Sequence, residues 1–248
     1  MSPSELKEFL DFKAEFYENP SFIIDDPIQI PHRFETKEDI EISAFLISMI
    51  SWGNRKSIIK SGENLLKLIE YQPYEFVMNF SEQDLTFVHR TFNNIDLNFF
   101  LRSLKNIYEN HGGLEKAFHS NDSKLISKIS NFRNIFFNIS HEKRSEKHIS
   151  NPLSGSACKR IIMFLRWMVR SNQKGVDFGL WNSIPKSCLM IPLDVHTGNI
   201  ASKLGLIQTN KFSWKTNEEL ISILQKFDPI DPAKYDFALF GLGAYEKF

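Results

Sequence analysis

Apolar residues recur every three to four positions along almost the whole chain, and this period predicts helices. Leu6, Phe9, Leu10, Phe16 and Tyr17 fall on one side of a first helix, with Ser2 or Ser4 as its cap and Pro3 tolerated at its start. A loop punctuated by Pro20, Pro27 and Pro31 follows. Thr36 with Asp39 has the form of a capping box ahead of Ile40, Ile42, Phe45, Leu46, Met49 and Ile50. Further helices are predicted after Asn54, after Ser81 (with Asp84 three residues on), from Leu97 to about Asn110 with Gly112 and Gly113 as the stop, over 121–139, and over 155–170. Near the end, Val195 to Leu204 stops at Gly205, Thr216 with Glu219 repeats the capping-box pattern, and Asp231-Pro232 starts a last helix through Tyr235 and Phe240. No run alternates with period two between hairpin turns, and no internal repeat is present, so the expected class is all-α. Residues 138–151 and 171–186 read as exposed or flexible connections.

Composition narrows this picture. The 248 residues can bury a substantial core, and 42% of them are apolar, with 23 phenylalanines favouring aromatic packing between helices. Two cysteines, Cys158 and Cys188, are too few for a disulfide scaffold or a four-cysteine iron–sulfur or zinc site, and no His/Asp/Glu grouping has metal-ligand spacing. The expectation is therefore no metal, no iron–sulfur cluster and no other cofactor. No basic-then-apolar leader opens the sequence, and no run reaches the roughly 18 apolar residues of a membrane span. A reducing cytoplasm and a monomer are the defaults.

Formal net charge is zero, but its distribution is uneven. Residues 1–50 carry four Lys/Arg against eleven Asp/Glu, whereas residues 101–174 carry fourteen against five. The basic block includes Lys143, Arg144, Lys147, Lys159, Arg160, Arg166 and Arg170, which is either a local phosphate-facing surface or a set of solvated helix faces.

The chemistry centres on 153–197. Leu153-Ser154-Gly155-Ser156-Ala157-Cys158-Lys159-Arg160 is a small-residue turn opening a helix. Such a turn lets backbone approach a ligand closely, and the first N–H groups of the next helix can hold a phosphate without reading sequence. The plain alternative is an ordinary helix start. Downstream, Leu193-Asp194-Val195-His196 opens another helix, where Asp194 suits an N-cap and His196 suits a buried hydrogen-bonding role.

Together these segments resemble the helix-hairpin-helix DNA glycosylase superfamily, which includes endonuclease III and the 8-oxoguanine DNA glycosylases. The turn is similar to that family's Leu-Pro-Gly-Val-Gly-any-Lys hairpin, with Ser154 for proline and Ala157 for the second glycine; the Asp194 segment is similar to its catalytic aspartate motif. Ala44 to Arg55 looks like its helix and DNA-probing loop. The likeness covers roughly 36–244 by element order. A closer likeness, in Gly155 to Arg160 and in Phe240-Gly241-Leu242-Gly243, is to an uncharacterised bacterial family.

The superfamily resemblance implies a two-lobed helical bundle carrying a helix-hairpin-helix motif. One lobe would be 1–35 plus 190–248, a second 36–150, with 151–189 forming the hairpin, following helix and insert. It implies a base-excision glycosylase on a lesion in double-stranded DNA, with Asp194 stabilising the cationic sugar. Lys159 would attack that sugar and could also cleave the strand through a Schiff base. Leu153, Ser154, Gly155, Ser156, Ala157 and Arg160 would contact the backbone. Asn54 and Arg55 would fill the gap left by an extruded base or contact its orphan partner, unless they are simply a helix C-terminal turn at Gly53. Phe178, Trp181 and Cys158 are candidates for the base pocket, against a core-packing role for the two aromatics. Three departures stand out: Ala157, the missing cysteine cluster, and the 35-residue separation of Lys159 from Asp194. A non-catalytic nucleic-acid-binding protein that kept the fold is the competing reading.

Overall fold

The computed structural model describes residues 1–248 apart from Asp84, Asn210 and Lys247. The chain is mostly helical, at 64% helix and 2% strand, and no helix among the described residues is long and apolar enough to cross a membrane. It divides into two compact units, one made of 1–22 with 151–248, the other of 23–150.

In the second unit, α2 (Lys37–Ile50) is buried at every position from Ile40 to Ile50, which makes it the central helix. Thr36 caps it by accepting from the Asp39 amide at 3.3 Å. Asn54 caps α3 (Arg55–Leu68), whose Gly62 leaves room for Ile30 and Ile47 where a Cβ would collide. After α4 (Pro73–Met78), a two-stranded hairpin of β1 (Val88–His89) and β2 (Phe92–Asn93) leads into α5 (Asn94–Asn110). Asn93 and Asp96 form the capping box that starts α5 three residues before the expected Leu97. Two short helices, α6 (Leu114–Ala117) and α7 (Leu125–Phe136), close the unit. Its core is aromatic: Phe118 stacks on Phe132 at 4.2 Å between centroids, and Phe136 meets Phe100 edge-on at 4.9 Å.

The first unit contains α1 (Pro3–Tyr17), α8 (Lys159–Val169), α9 (Val195–Lys203), α10 (Trp214–Phe227) and α11 (Tyr235–Ala244). Ser2 caps α1 in a full capping box with Glu5. Helix α11 is apolar on nearly all sides because α1 and α9 both pack on it. Gly241 accommodates the Tyr17 ring, and a Cβ on Gly243 would stand 3.2 Å from Ile200 of α9.

Several sequence expectations need correction. The helix after Ser81 does not form: the described residues of 81–87 are irregular, and Asp84 lies outside them. The β1–β2 hairpin went unseen because two-residue strands are too short to show alternation. The 121–139 helix is confined to Leu125–Phe136, since Asp122 makes a local turn with the Lys124 amide. The supposed connection at 138–151 contains a 3-10 turn, Lys143–His148, held by Ser145 and Arg144 donating to the buried Asp96 at 2.6 and 2.9 Å. Helix α10 is capped by Ser213, while the Thr216 hydroxyl donates to the Lys211 carbonyl. Asp231-Pro232 opens a 3-10 turn before α11 proper.

The stretch 171–186 is fixed to α8: the Phe178 amide donates to the Trp167 carbonyl at 2.8 Å, and the Trp181 amide to that of Met168 at 2.9 Å. The basic block also changes meaning. Arg166 and Arg170 are buried and paired with carboxylates, so neither belongs to an exposed cationic face.

Candidate functional site

The turn preceding α8 is built from local constraints. Asn151 caps the 3-10 turn Pro152–Ser154, and Gly155 then takes a left-handed conformation at φ +81°. A Cβ at Gly155 would meet nothing, so the need for glycine there is conformational. The element before the turn is thus a single 3-10 turn, without a long α-helix leading into it. Leu153 projects outward at 70% exposure, with Ser154 and Gly155 also exposed, whereas Ala157 is buried. Ser156 bridges to Ser213, and the Trp214 amide donates to the Gly155 carbonyl at 3.0 Å, tying the turn to the start of α10.

Cys158 occupies the cap position of α8 with φ +50° and gives no side-chain cap. Lys159 is therefore the first residue of the helix. Its Nζ lies 2.5 Å from Asp194 Oδ2, with the two side chains 37% and 20% exposed. Asp194 is the N-cap of α9, and its other oxygen accepts from the Thr197 amide at 2.9 Å. One carboxylate thus both caps a helix and faces the lysine. Burial pushes its pKa up, but the Lys159 charge and hydrogen bond, the Thr197 amide and the His196 charge prevail and hold it below the usual carboxylate value. Asp194 is accordingly an anion near neutral pH. Chemically, the pair combines an amine able to attack an electrophile with a negative charge able to stabilise a developing cation.

Other candidates fall differently. Arg160 is half-buried, and burial lowers its pKa to about 10, which still leaves it cationic near pH 7. His196 is exposed, contrary to the expected buried role, because it lies on the outer side of α9. Trp181 is buried against Phe164, edge-on at 5.3 Å, so its ring is spent on packing; Cys158 is also buried, and Phe178 is half-buried. These positions offer no open stacking face for Trp181. Asn54 caps α3 through the Ser57 amide, with Gly53 at φ +102° before it and Arg55 as the first helical residue. Behind that turn, His89 approaches Ser61 Oγ at 2.8 Å and the Trp52 carbonyl at 3.3 Å. Asn54 and Arg55 belong to the second unit, whereas Lys159 and Asp194 belong to the first. Among the described residues no group of three or more His, Cys, Asp or Glu could hold a metal ion.

Sequence reasoning missed a buried ion network farther along α8. Arg166 donates to Asp236 and, at 3.3 Å, to Asp177; Arg170 donates to Asp177 and Glu18, each at 2.7 Å, and to Asp231 at 2.9 Å. Two arginines inside the apolar run Ile161 to Val169 and its cap were the available signal, since buried guanidinium demands carboxylate partners.

Comparison with known proteins places residues 26–245 in a family described as a protein of unknown function, DUF2400, and the chain belongs to that family. No curated protein and no solved structure matches the chain.

Proposed function

We propose that this family member is a base-excision DNA glycosylase acting on a damaged base in duplex DNA. Lys159 is its nucleophile, and Asp194 is its charge-stabilising carboxylate. The reading rests on one observation: two residues 35 positions apart, each at a helix start, form a partly exposed amine–carboxylate pair beside a glycine turn that projects Leu153. The superfamily resemblance supplies the substrate class.

The chemistry follows from that pair. With its proton lost, the Lys159 amine attacks the anomeric carbon. The bond from sugar to base breaks, and the base leaves with the electron pair and gains a proton. Asp194 stabilises positive charge on the sugar as the bond lengthens. Ring opening then gives a protonated Schiff base. Loss of the adjacent sugar proton expels the 3′ phosphate, so the same lysine cleaves the strand. The first amides of α8, exposed beside the turn, and Arg160 contact phosphate.

Borohydride reduction tests the nucleophile directly. With lesion-bearing duplex it should give a covalent protein–DNA adduct mapping to Lys159 by mass spectrometry, and Lys159→Gln should lose it. Lys159→Arg should also fail, since guanidinium supplies no neutral amine near pH 7. Duplex binding without base release or adduct, across oxidised, alkylated and deaminated bases, would replace this reading with that of a non-catalytic nucleic-acid-binding protein.

A further inference from the structure

A cavity of about 470 Å³ opens along α9 in the first unit, lined by His196, Asn199, Ser202 and Lys203 of that helix, by Gly243 of α11 and by Phe248. Its volume falls in the usual range of small-molecule sites, about 300 to 1,000 Å³. From 196 to 203 it follows about 10 Å of helix, and its near end lies within one turn of Asp194, the cap of the same helix. His196 also acts on the Asp194 carboxylate, as one of the charges that lower its pKa. Gly243 keeps the space open. A Cβ there would stand 3.2 Å from Ile200 Cγ1 and 3.7 Å from the His196 carbonyl, so a longer side chain would enter the cavity.

We propose that this cavity receives the extruded base, and that it favours bases rich in carbonyl acceptors, the oxidised and deaminated ones, over amino-bearing bases such as 3-methyladenine. Its place in turnover rests on the glycosylase reading; its preference among heterocycles does not.

The lining chemistry carries that preference. No Asp or Glu side chain is among the lining residues, whereas His196, Asn199, Ser202 and Lys203 can all donate hydrogen bonds. Ser202 faces the Ile207 carbonyl at 3.4 Å, and Lys203 Nζ gives one N–H to the Phe248 carbonyl at 2.8 Å, leaving its others for a ligand. An ammonium cannot accept, so Lys203 sets the sign at its end of the cavity. A ring that presents carbonyl oxygens satisfies such donors, while one that presents an amino group meets them with a donor of its own. The rings of His196 and Phe248, both exposed, offer flat faces for stacking. Trp181 offers no such face, because its ring is packed on Phe164.

The first test needs no DNA. Isotope-labelled protein is titrated with uracil and xanthine as carbonyl-rich probes and with 3-methyladenine as the amino-bearing one, while NMR follows the Asn199 side-chain amide and the His196 ring. The carbonyl-rich probes should shift both signals and bind roughly tenfold more tightly than 3-methyladenine. Gly243→Leu, which fills the cavity, should abolish the shifts. Asn199→Ala, at an exposed position, should weaken the binding read at His196 and serves if the first variant does not fold. On DNA, release from duplex carrying an oxidised or deaminated base is compared with borohydride trapping on abasic duplex, which presents no base. The ratio of release to trapping should fall roughly tenfold in either variant. No probe binding, equal binding of all three probes, or an unchanged ratio in a folded Gly243→Leu protein overturns the proposal. A wild type that binds the carbonyl-rich probes at His196 and Asn199 yet neither releases base nor traps overturns the glycosylase reading and leaves the preference of the cavity standing.

Discussion

Lys159 and Asp194 form a partly exposed ion pair, with Nζ 2.5 Å from Oδ2, whereas Arg166 and Arg170 farther along the same helix are buried among their carboxylates. That position separates them from Arg166 and Arg170. A fully buried pair can organise a core but cannot reach a macromolecular substrate, whereas a half-exposed pair at two helix starts can. Exposure also limits its value as a structural bond, because solvent screens it.

Asp194→Asn should abolish base release while leaving the fold and DNA affinity nearly intact. The amide can still accept from the Thr197 N–H, so the cap survives and only the charge is lost. Single-turnover release from a lesion panel, with helical content checked by circular dichroism, measures this. Activity equal to wild type would remove Asp194 from the mechanism.

DNA affinity should fall steeply with salt, by roughly 0.9 log unit per phosphate contact for each tenfold increase. Exposed Lys143 and the exposed Lys211 and Lys215 around the start of α10 are the lysines to test. Replacing one that contacts phosphate should reduce the slope by about that amount. Arg170→Met should instead lower thermal stability, since it leaves buried Glu18 without its guanidinium and Asp177 with that of Arg166 alone. A salt-independent affinity would refute the backbone-contact reading.

Asp96 predicts an acid-sensitive second unit. Burial acts to raise its pKa, but His148 at 3.1 Å, the Ser145 hydroxyl and the Asn93 amide overcome this and bring it down to about 2. Its folded value lies below the unfolded one, so its stabilisation is present above about pH 4 and disappears as pH falls through about 2. Asp96→Asn should be destabilised most near neutrality, with the gap to wild type closing on acidification. Urea midpoints compared between pH 7 and pH 2.5 check the sign; a gap that widens toward acid would contradict it.

Gly241→Ala should cost about 2 kcal/mol or more, because the new methyl enters the space of the Tyr17 ring where α1 crosses α11. Gly155→Ala meets no atom and carries only the strain of its left-handed backbone, about 1 kcal/mol. Chemical denaturation of both variants should rank them in that order. Equal losses would mean that α1 shifts to accept the methyl.

The sequence by itself determined the helical class and most helix starts, because caps act within three or four residues. Ser2, Thr36, Asn54 and Asp194 each bond an amide two or three positions inside the helix they open. It also placed Lys159 and Asp194 at helix starts. Only the tertiary structure decided that they touch, and that Arg166 and Arg170 face inward. Arg170 finds Glu18 at a separation of 152 residues and Asp231 at 61, and Arg166 finds Asp236 at 70. No local pattern records such partners. An arginine within an apolar run has the same letters whether it reaches water or a buried carboxylate, and the choice depends on which segments pack around it. Trp181 was undecided for the same reason: its aromatic character suits a stacked base or a core, and packing against Phe164 of α8 put it in the core.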